Sequence, residues 1–135
     1  AGEHSGHFYF RDNFFADSST IAGLIFLEYL SKQNKPLSQI AAEFDRYKSS
    51  GEINYKVSDS AMIIKNIEMK FKDATAIDYL DGLSIWYSNW WFSLRPSNTE
   101  PMVRLNMEAD TKEILDEKLS LVGNELNQLG ASINE

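Results

Sequence analysis

The stretch Trp90-Trp91-Phe92-Ser93-Leu94-Arg95-Pro96-Ser97-Asn98-Thr99-Glu100-Pro101-Met102-Val103-Arg104-Leu105-Asn106-Met107 decides how this chain folds. Successive side chains of an extended strand point to opposite faces, so Trp90, Phe92 and Leu94 share one face while Trp91, Ser93 and Arg95 share the other. The alternation resumes after the loop, where Val103, Leu105 and Met107 oppose Arg104. This predicts two half-buried strands joined by a polar loop, with Arg95 emerging where the first strand ends. The loop holds what a dianionic phosphoryl group needs: the Arg95 donor fork, the Ser97 and Thr99 hydroxyls, the Asn98 amide and backbone N–H groups. Pro96 and Pro101 fix their own φ and donate no backbone hydrogen bond, which leaves the N–H groups between them to point inward. Pro, Ser and Asn also build ordinary strand connections, so the loop taken alone also reads as a plain turn.

Working outward, Asp110-Thr111-Lys112-Glu113 carries a cap with an acidic residue at its far end. It opens a helix with Leu115, Leu119, Val122, Leu126 and Leu129 on one stripe, ending near Gly130. Residues 131–135 are expected to fray. Upstream, Asp81-Gly82 is a tight-turn signal between strands at 77–79 and 83–87, and Ser88-Asn89 makes the next turn. Asp59 suits the cap of a helix reaching about Lys72, with Ile63, Ile67 and Phe71 on one face. Residues 52–57 alternate polar and apolar as a strand does, and a short helix is expected over 37–47, closed by Ser49-Ser50-Gly51. Strand, helix, four strands, helix is the order of an α+β unit: an antiparallel sheet with helices covering one face.

The first 36 residues have a different character. Ala1-Gly2-Glu3 opens in a polar loop with nothing ahead to anchor it and reads as a cut. Phe8-Tyr9-Phe10 reads as a strand end, Arg11-Asp12-Asn13 as a turn, and Asp17 or Ser18 as the cap of a helix over 19–32. Ile21, Leu24, Ile25, Phe26, Leu27, Tyr29 and Leu30 surround that helix, and one apolar nearly all round needs burial on several sides. Part of its surface is therefore expected to belong against a domain outside this chain. Asn34-Lys35-Pro36 breaks the helix, dividing residues 1–36 from 37–135.

Composition narrows the function. The 135 residues carry a net charge of -7, which disfavours a nucleic-acid backbone or an anionic membrane as partner. There is no cysteine, hence no disulfide framework or thiolate chemistry, and no apolar run long enough to span a membrane. A cytoplasmic protein is expected.

A second motif, Gly2-Glu3-His4-Ser5-Gly6-His7, precedes the loop at Arg95-Pro96-Ser97-Asn98-Thr99-Glu100-Pro101 in the chain. Together with the trailing Arg104-Leu105, this ordered pair resembles the C-terminal part of the α-D-phosphohexomutases, the family of phosphomannomutases and phosphoglucomutases. The resemblance implies that residues 1–36 are the end of the third, α/β domain and that 37–135 form the fourth, with a TATA-box-binding-protein-like sheet. It implies that Arg95, Ser97, Asn98 and Thr99 grip a substrate phosphate. Glu3 and Ser5 would bond sugar hydroxyls, with His7 beside them as an auxiliary proton donor or charge stabiliser. The full enzyme would be an isomerase moving a phosphoryl group between the 1 and 6 oxygens of a hexose, with a catalytic serine loop and an Asp-Gly-Asp magnesium loop in earlier domains. Neither loop has a counterpart here, so this chain is expected to bind a hexose phosphate, to hold no Mg2+ itself and to lack activity without the preceding domains.

Competing readings of the same residues stand beside this. Glu3, His4 and His7 also suit a zinc site, though a fourth ligand is not evident. Trp86, Trp90 and Trp91 read as core or as a stacking platform, and Arg104 as added charge at the loop or one half of a surface ion pair. A free-standing anion-binding or protein-interaction module would use the Arg95 loop too, and such a module should bury Ile21, Leu24 and Phe26.

Overall fold

The computed structural model describes residues 1–3 and 5–134, and the chain separates into two compact units, Ala1–Phe44 and Asp45–Glu135. The division falls later than the break at Pro36 suggests. Pro36 starts a helix here: its carbonyl accepts from the N–H groups of Gln39 and Ile40, and Lys35 pairs with Glu43 across that helix.

The first unit holds α1 (Ser19–Ser31) and α2 (Leu37–Ala42). Antiparallel bridges Gly2 to Phe8 and Tyr9 to Asp17 draw the first residues into a compact loop. Of the two candidate caps Ser18 serves α1, its hydroxyl accepting from the Ile21 N–H at 3.2 Å, because Asp17 is engaged elsewhere. No residue of α1 is fully buried, and Leu24 and Phe26, whose burial a free-standing module requires, are 63% and 46% exposed. The helix expected to reach Tyr47 ends at Ala42; Ile40 is buried, but Phe44 and Tyr47 are exposed and lend no packing to extend it.

The second unit contains β1 (Lys48–Lys56), α3 (Ser60–Lys70), β2 (Ala76–Asp78), β3 (Leu83–Trp86), β4 (Trp90–Pro96), β5 (Met102–Ala109), α4 (Lys112–Gln128) and β6 (Ser132–Ile133). Its strands form one antiparallel sheet in the order β2-β3-β4-β5-β1-β6. Both helices pack on the same face. Ile63, Ile67 and Phe71 from α3, and Leu115, Val122 and Leu126 from α4, meet Phe92, Leu94, Val103, Leu105 and Met107 in one core. Each such fully buried side chain contributes about 1.5–3 kcal/mol. Asp59 caps α3 as the sequence predicts, accepting from the Met62 N–H; α4 is capped one residue later than the expected Asp110, by Thr111, whose hydroxyl accepts from the Ile114 N–H.

Two stretches depart from expectation. Ser49-Ser50-Gly51, expected to close a helix, lie inside β1, where the register against β5 shifts and Gly51 takes φ +64°. This is a bulge, a local extra residue that bends a strand and re-aims its side chains. The Ser50 hydroxyl repairs the interrupted ladder by accepting from the Met107 N–H at 2.9 Å. Residues 131–134 do not fray: Ser132 and Ile133 pair with Lys56 and Tyr55, and the Asn134 N–H donates to the Asn54 carbonyl at 2.8 Å, while Glu135 lies outside the described residues. The free edge of β1 has backbone groups to satisfy, and this short strand covers them.

Candidate functional site

The ladder between β4 and β5 runs from Trp90 opposite Ala109 to Pro96 opposite Val103, which sets Arg95 directly across from Arg104. Like charges facing one another on a sheet repel. A carboxylate from the next strand offsets them: Glu52 Oε1 lies 3.4 Å from Arg104 Nη1 and its Oε2 3.8 Å from Arg95 Nη2. The bulge at Gly51 immediately precedes Glu52 and helps aim it. A second carboxylate, Asp81 Oδ2, sits 3.2 Å from Arg95 Nη1. Arg104 is thus both things its position allowed, one half of an ion pair and a wall of the cavity beside the loop. Its Nε is buried with no hydrogen-bond partner among the described residues.

Arg95, Ser97, Asn98 and Thr99 line one open cavity of about 450 Å³ with Asp81, Gly82, Pro96 and Arg104. The four residues singled out in the loop therefore converge. One expectation fails in detail: the Ser97 N–H is not left for an anion, because it donates to the Met102 carbonyl at 2.9 Å and closes the loop across its neck. Ser97 and Thr99 hydroxyls stand 3.4 Å apart, and the Thr99 N–H points at Ser97 Oγ at 3.4 Å, long contacts that a stronger acceptor can replace. The Pro101 carbonyl accepts from the Val57 N–H at 2.9 Å and fixes the far end of the loop to the chain after β1. Gly82, at φ +79°, presses against the root of the loop; a Cβ there would lie 2.5 Å from the Leu94 carbonyl oxygen and 2.9 Å from Arg95 Cα.

In the first unit, Glu3 accepts from the Ser5 hydroxyl at 3.0 Å and from the Tyr9 hydroxyl at 2.7 Å. The Glu3 N–H donates to the His7 carbonyl at 2.9 Å, and Gly6 at φ +86° makes the turn between them. His7 Nδ1 lies 2.7 Å from Asp17 Oδ2, while Asp17 Oδ1 accepts from the Phe8 N–H at 2.9 Å. The Tyr9 and Ser5 hydroxyls hold the Glu3 carboxyl below its ordinary value. The Asp17 bond raises the His7 imidazole, and the same bond lowers Asp17. The loop thus presents an ionised carboxylate and an imidazole biased toward its charged form, with Nδ1 tied down. Asp17 and Tyr9 were not legible as members; the sequence marked Asp17 only as a helix cap.

His4 lies outside the described residues. Among the described residues no three His, Asp or Glu side chains stand close enough to hold a metal ion, and His7 turns to Asp17. The three tryptophans divide. Trp90 is core, stacked on Tyr87 at 4.6 Å between ring centroids. Trp86 and Trp91 stack on each other at 4.8 Å on the opposite face of the sheet, their indole N–H groups donating to Asp78 and Glu108. No helix among the described residues is long and apolar enough to cross a membrane.

With this geometry in place, comparison with known proteins is specific. Residues 52–119 match the family model described as phosphoglucomutase/phosphomannomutase, C-terminal domain, and residues 1–47 match phosphoglucomutase/phosphomannomutase, alpha/beta/alpha domain III. A phosphomannomutase of Methanocaldococcus jannaschii is 44% identical over 133 residues, covering 98% of this chain and 29% of that protein. A phosphomannomutase of Escherichia coli is 46% identical over 114 residues, 82% of this chain and 25% of that protein. In structure, a phosphoglucomutase/phosphomannomutase family protein from Burkholderia thailandensis superposes with a TM-score of 0.80 at 28% identity, over 98% of this chain and 29% of its own. The chain spans under a third of the length of these relatives.

Proposed function

The chain belongs to the phosphoglucomutase/phosphomannomutase family, and from that premise we propose that it is the phosphosugar-binding, C-terminal portion of a phosphohexomutase. The observation that carries this reading is the convergence of Arg95, Ser97, Asn98 and Thr99 on one open cavity. Guanidinium and hydroxyl donors to a phosphate make charge-assisted bonds roughly twice as strong as neutral ones, and the planar Arg95 fork suits two phosphate oxygens at once. Held by its non-reacting phosphate, a hexose phosphate has its far end positioned for transfer. The Glu3 carboxylate and Ser5 hydroxyl are suited to sugar hydroxyls. His7, with Nδ1 bonded to Asp17, would offer its other nitrogen as a proton donor or positive charge.

The reaction of the whole enzyme would be interconversion of hexose 1-phosphate and 6-phosphate. The magnesium that the family implies does not fit the described residues of this chain, which supply no ligand set, and no step here runs through it. The chain alone is expected to bind and not to turn over.

The test is an NMR titration with mannose 6-phosphate. Shifts should concentrate at Ser97, Asn98, Thr99 and the Arg95 Nε–H, and Arg95→Lys, which keeps the charge but loses the fork, should weaken binding about tenfold. A loop that stays silent at millimolar ligand would remove the proposal. Interconversion of hexose phosphates by the purified chain alone would refute the division of labour.

A further inference from the structure

We propose that Asp81 is an internal stand-in for the phosphate: its carboxylate occupies Arg95 in the free protein, must leave when a phosphorylated ligand arrives, and so weakens and tunes the cradle. The inference rests on the cradle reading above and concerns a residue outside the loop.

Three observations carry it. Asp81 Oδ2 lies 3.2 Å from Arg95 Nη1, on one of the nitrogens a phosphate oxygen would claim, and it lines the same cavity as the loop. It is delivered there by backbone packing, since Gly82 sits so tightly against Leu94 and Arg95 that no Cβ fits between. Its side chain is 74% exposed, against 37% for Glu52. An exposed ion pair is worth at most about a fivefold shift in equilibrium, so Asp81 is easily displaced. Glu52 braces both guanidiniums and stays.

Charge makes the exchange selective. Arg95 and Arg104 against Glu52 and Asp81 leave the free cradle with no net charge. A dianion competes with a single carboxylate for Arg95 with twice the charge, whereas a monoanion has no such advantage.

The experiment titrates the wild-type chain, Asp81→Asn, Asp81→Ser and Glu100→Gln with mannose 6-phosphate at low ionic strength, reading the Ser97–Thr99 amides and the Arg95 Nε–H. Glu100→Gln changes the net charge equally but removes an exposed loop carboxylate that makes no ion pair with Arg95. Both Asp81 variants should tighten binding about three- to fivefold, and Glu100→Gln less than twofold. Equal tightening by all three, or none by the Asp81 variants while the wild-type loop responds normally, overturns this inference and leaves the cradle standing. Silence of the wild-type loop removes the cradle and this inference together.

Discussion

Replacing Gly82 with alanine tests the fold and the site at once. Two costs can be worked from the structure. The residue sits at φ +79°, and the left-handed region costs an L-residue about 1–2 kcal/mol. The new Cβ would stand 2.5 Å from the Leu94 carbonyl oxygen and 2.9 Å from Arg95 Cα. Both are backbone atoms of the strand that β3 pairs with, so no side chain can swing away and the turn itself must retreat. Overpacking of this kind costs about 1–3 kcal/mol. The sum, about 2–5 kcal/mol, corresponds to a loss of roughly 10–30 °C in melting temperature for a unit of this size. All three tryptophans lie in the second unit, so urea unfolding followed by tryptophan fluorescence reports that unit alone. A companion variant separates the two costs. Asparagine tolerates positive φ but still carries a Cβ, so Gly82→Asn should recover no more than about 1 kcal/mol. If Gly82→Ala loses under about 1 kcal/mol, or Gly82→Asn is indistinguishable from glycine, the close approach is not a constraint and the packing account of how Asp81 reaches Arg95 fails with it.

Phe92, fully buried with an edge contact to Phe71 at 5.2 Å, should cost about 3–5 kcal/mol when cut to alanine, with an unchanged urea m-value; a loss under 1 kcal/mol would contradict its place at the centre of the core. The His7–Asp17 pair predicts a pH window. His7 is raised above its ordinary value, so its contribution is complete below about pH 6.5 and is lost as pH rises through its folded value. Asp17 is lowered, so its contribution is present above about pH 3.8 and disappears as pH falls through its folded value. The first loop should be best ordered between those limits. An NMR titration of the His7 ring should show a pKa above that of free imidazole side chains, falling back in Asp17→Asn; a value at or below the ordinary one, or no response to Asp17→Asn, would break the pairing.

What the sequence disclosed of the fold is what short-range pattern determines. Ile63, Ile67 and Phe71 recur at one helical interval, and Phe92 with Leu94 and Leu105 with Met107 at the strand interval, and all are buried on the helix-covered face. Elements set by a partner far along the chain were misread. Ser49-Ser50-Gly51 has the composition of a turn, and only β5 beside it makes those residues a bulged strand. Residues 132–133 have too little pattern to announce a strand; the open edge of β1 decides it. The tryptophans show the same limit. Alternation puts Trp91 on the face opposite Trp90, but its stacking on Trp86 depends on the register of β3 against β4, which neither strand carries alone.

The site divides along the same line. The hydroxyl, amide and guanidinium donors of the loop were legible because they are contiguous, and the cavity gathers them from one loop. Its carboxylates were not, because Asp81 precedes Arg95 by fourteen residues and Glu52 comes from a strand on the far side of β5. A rule that would find one of them, Glu52, follows from the electrostatics. Once the two strands are paired through the loop, Arg95 and Arg104 must face one another, and two guanidiniums across a ladder need a carboxylate on a neighbouring strand within diagonal reach. Of the polar residues on β1, Glu52 is the acidic one, and it stands diagonal to Arg104 across Asn54 and Asn106. The arginine pair therefore implies its own brace. The brace in turn explains why the sheet tolerates two cations at one point.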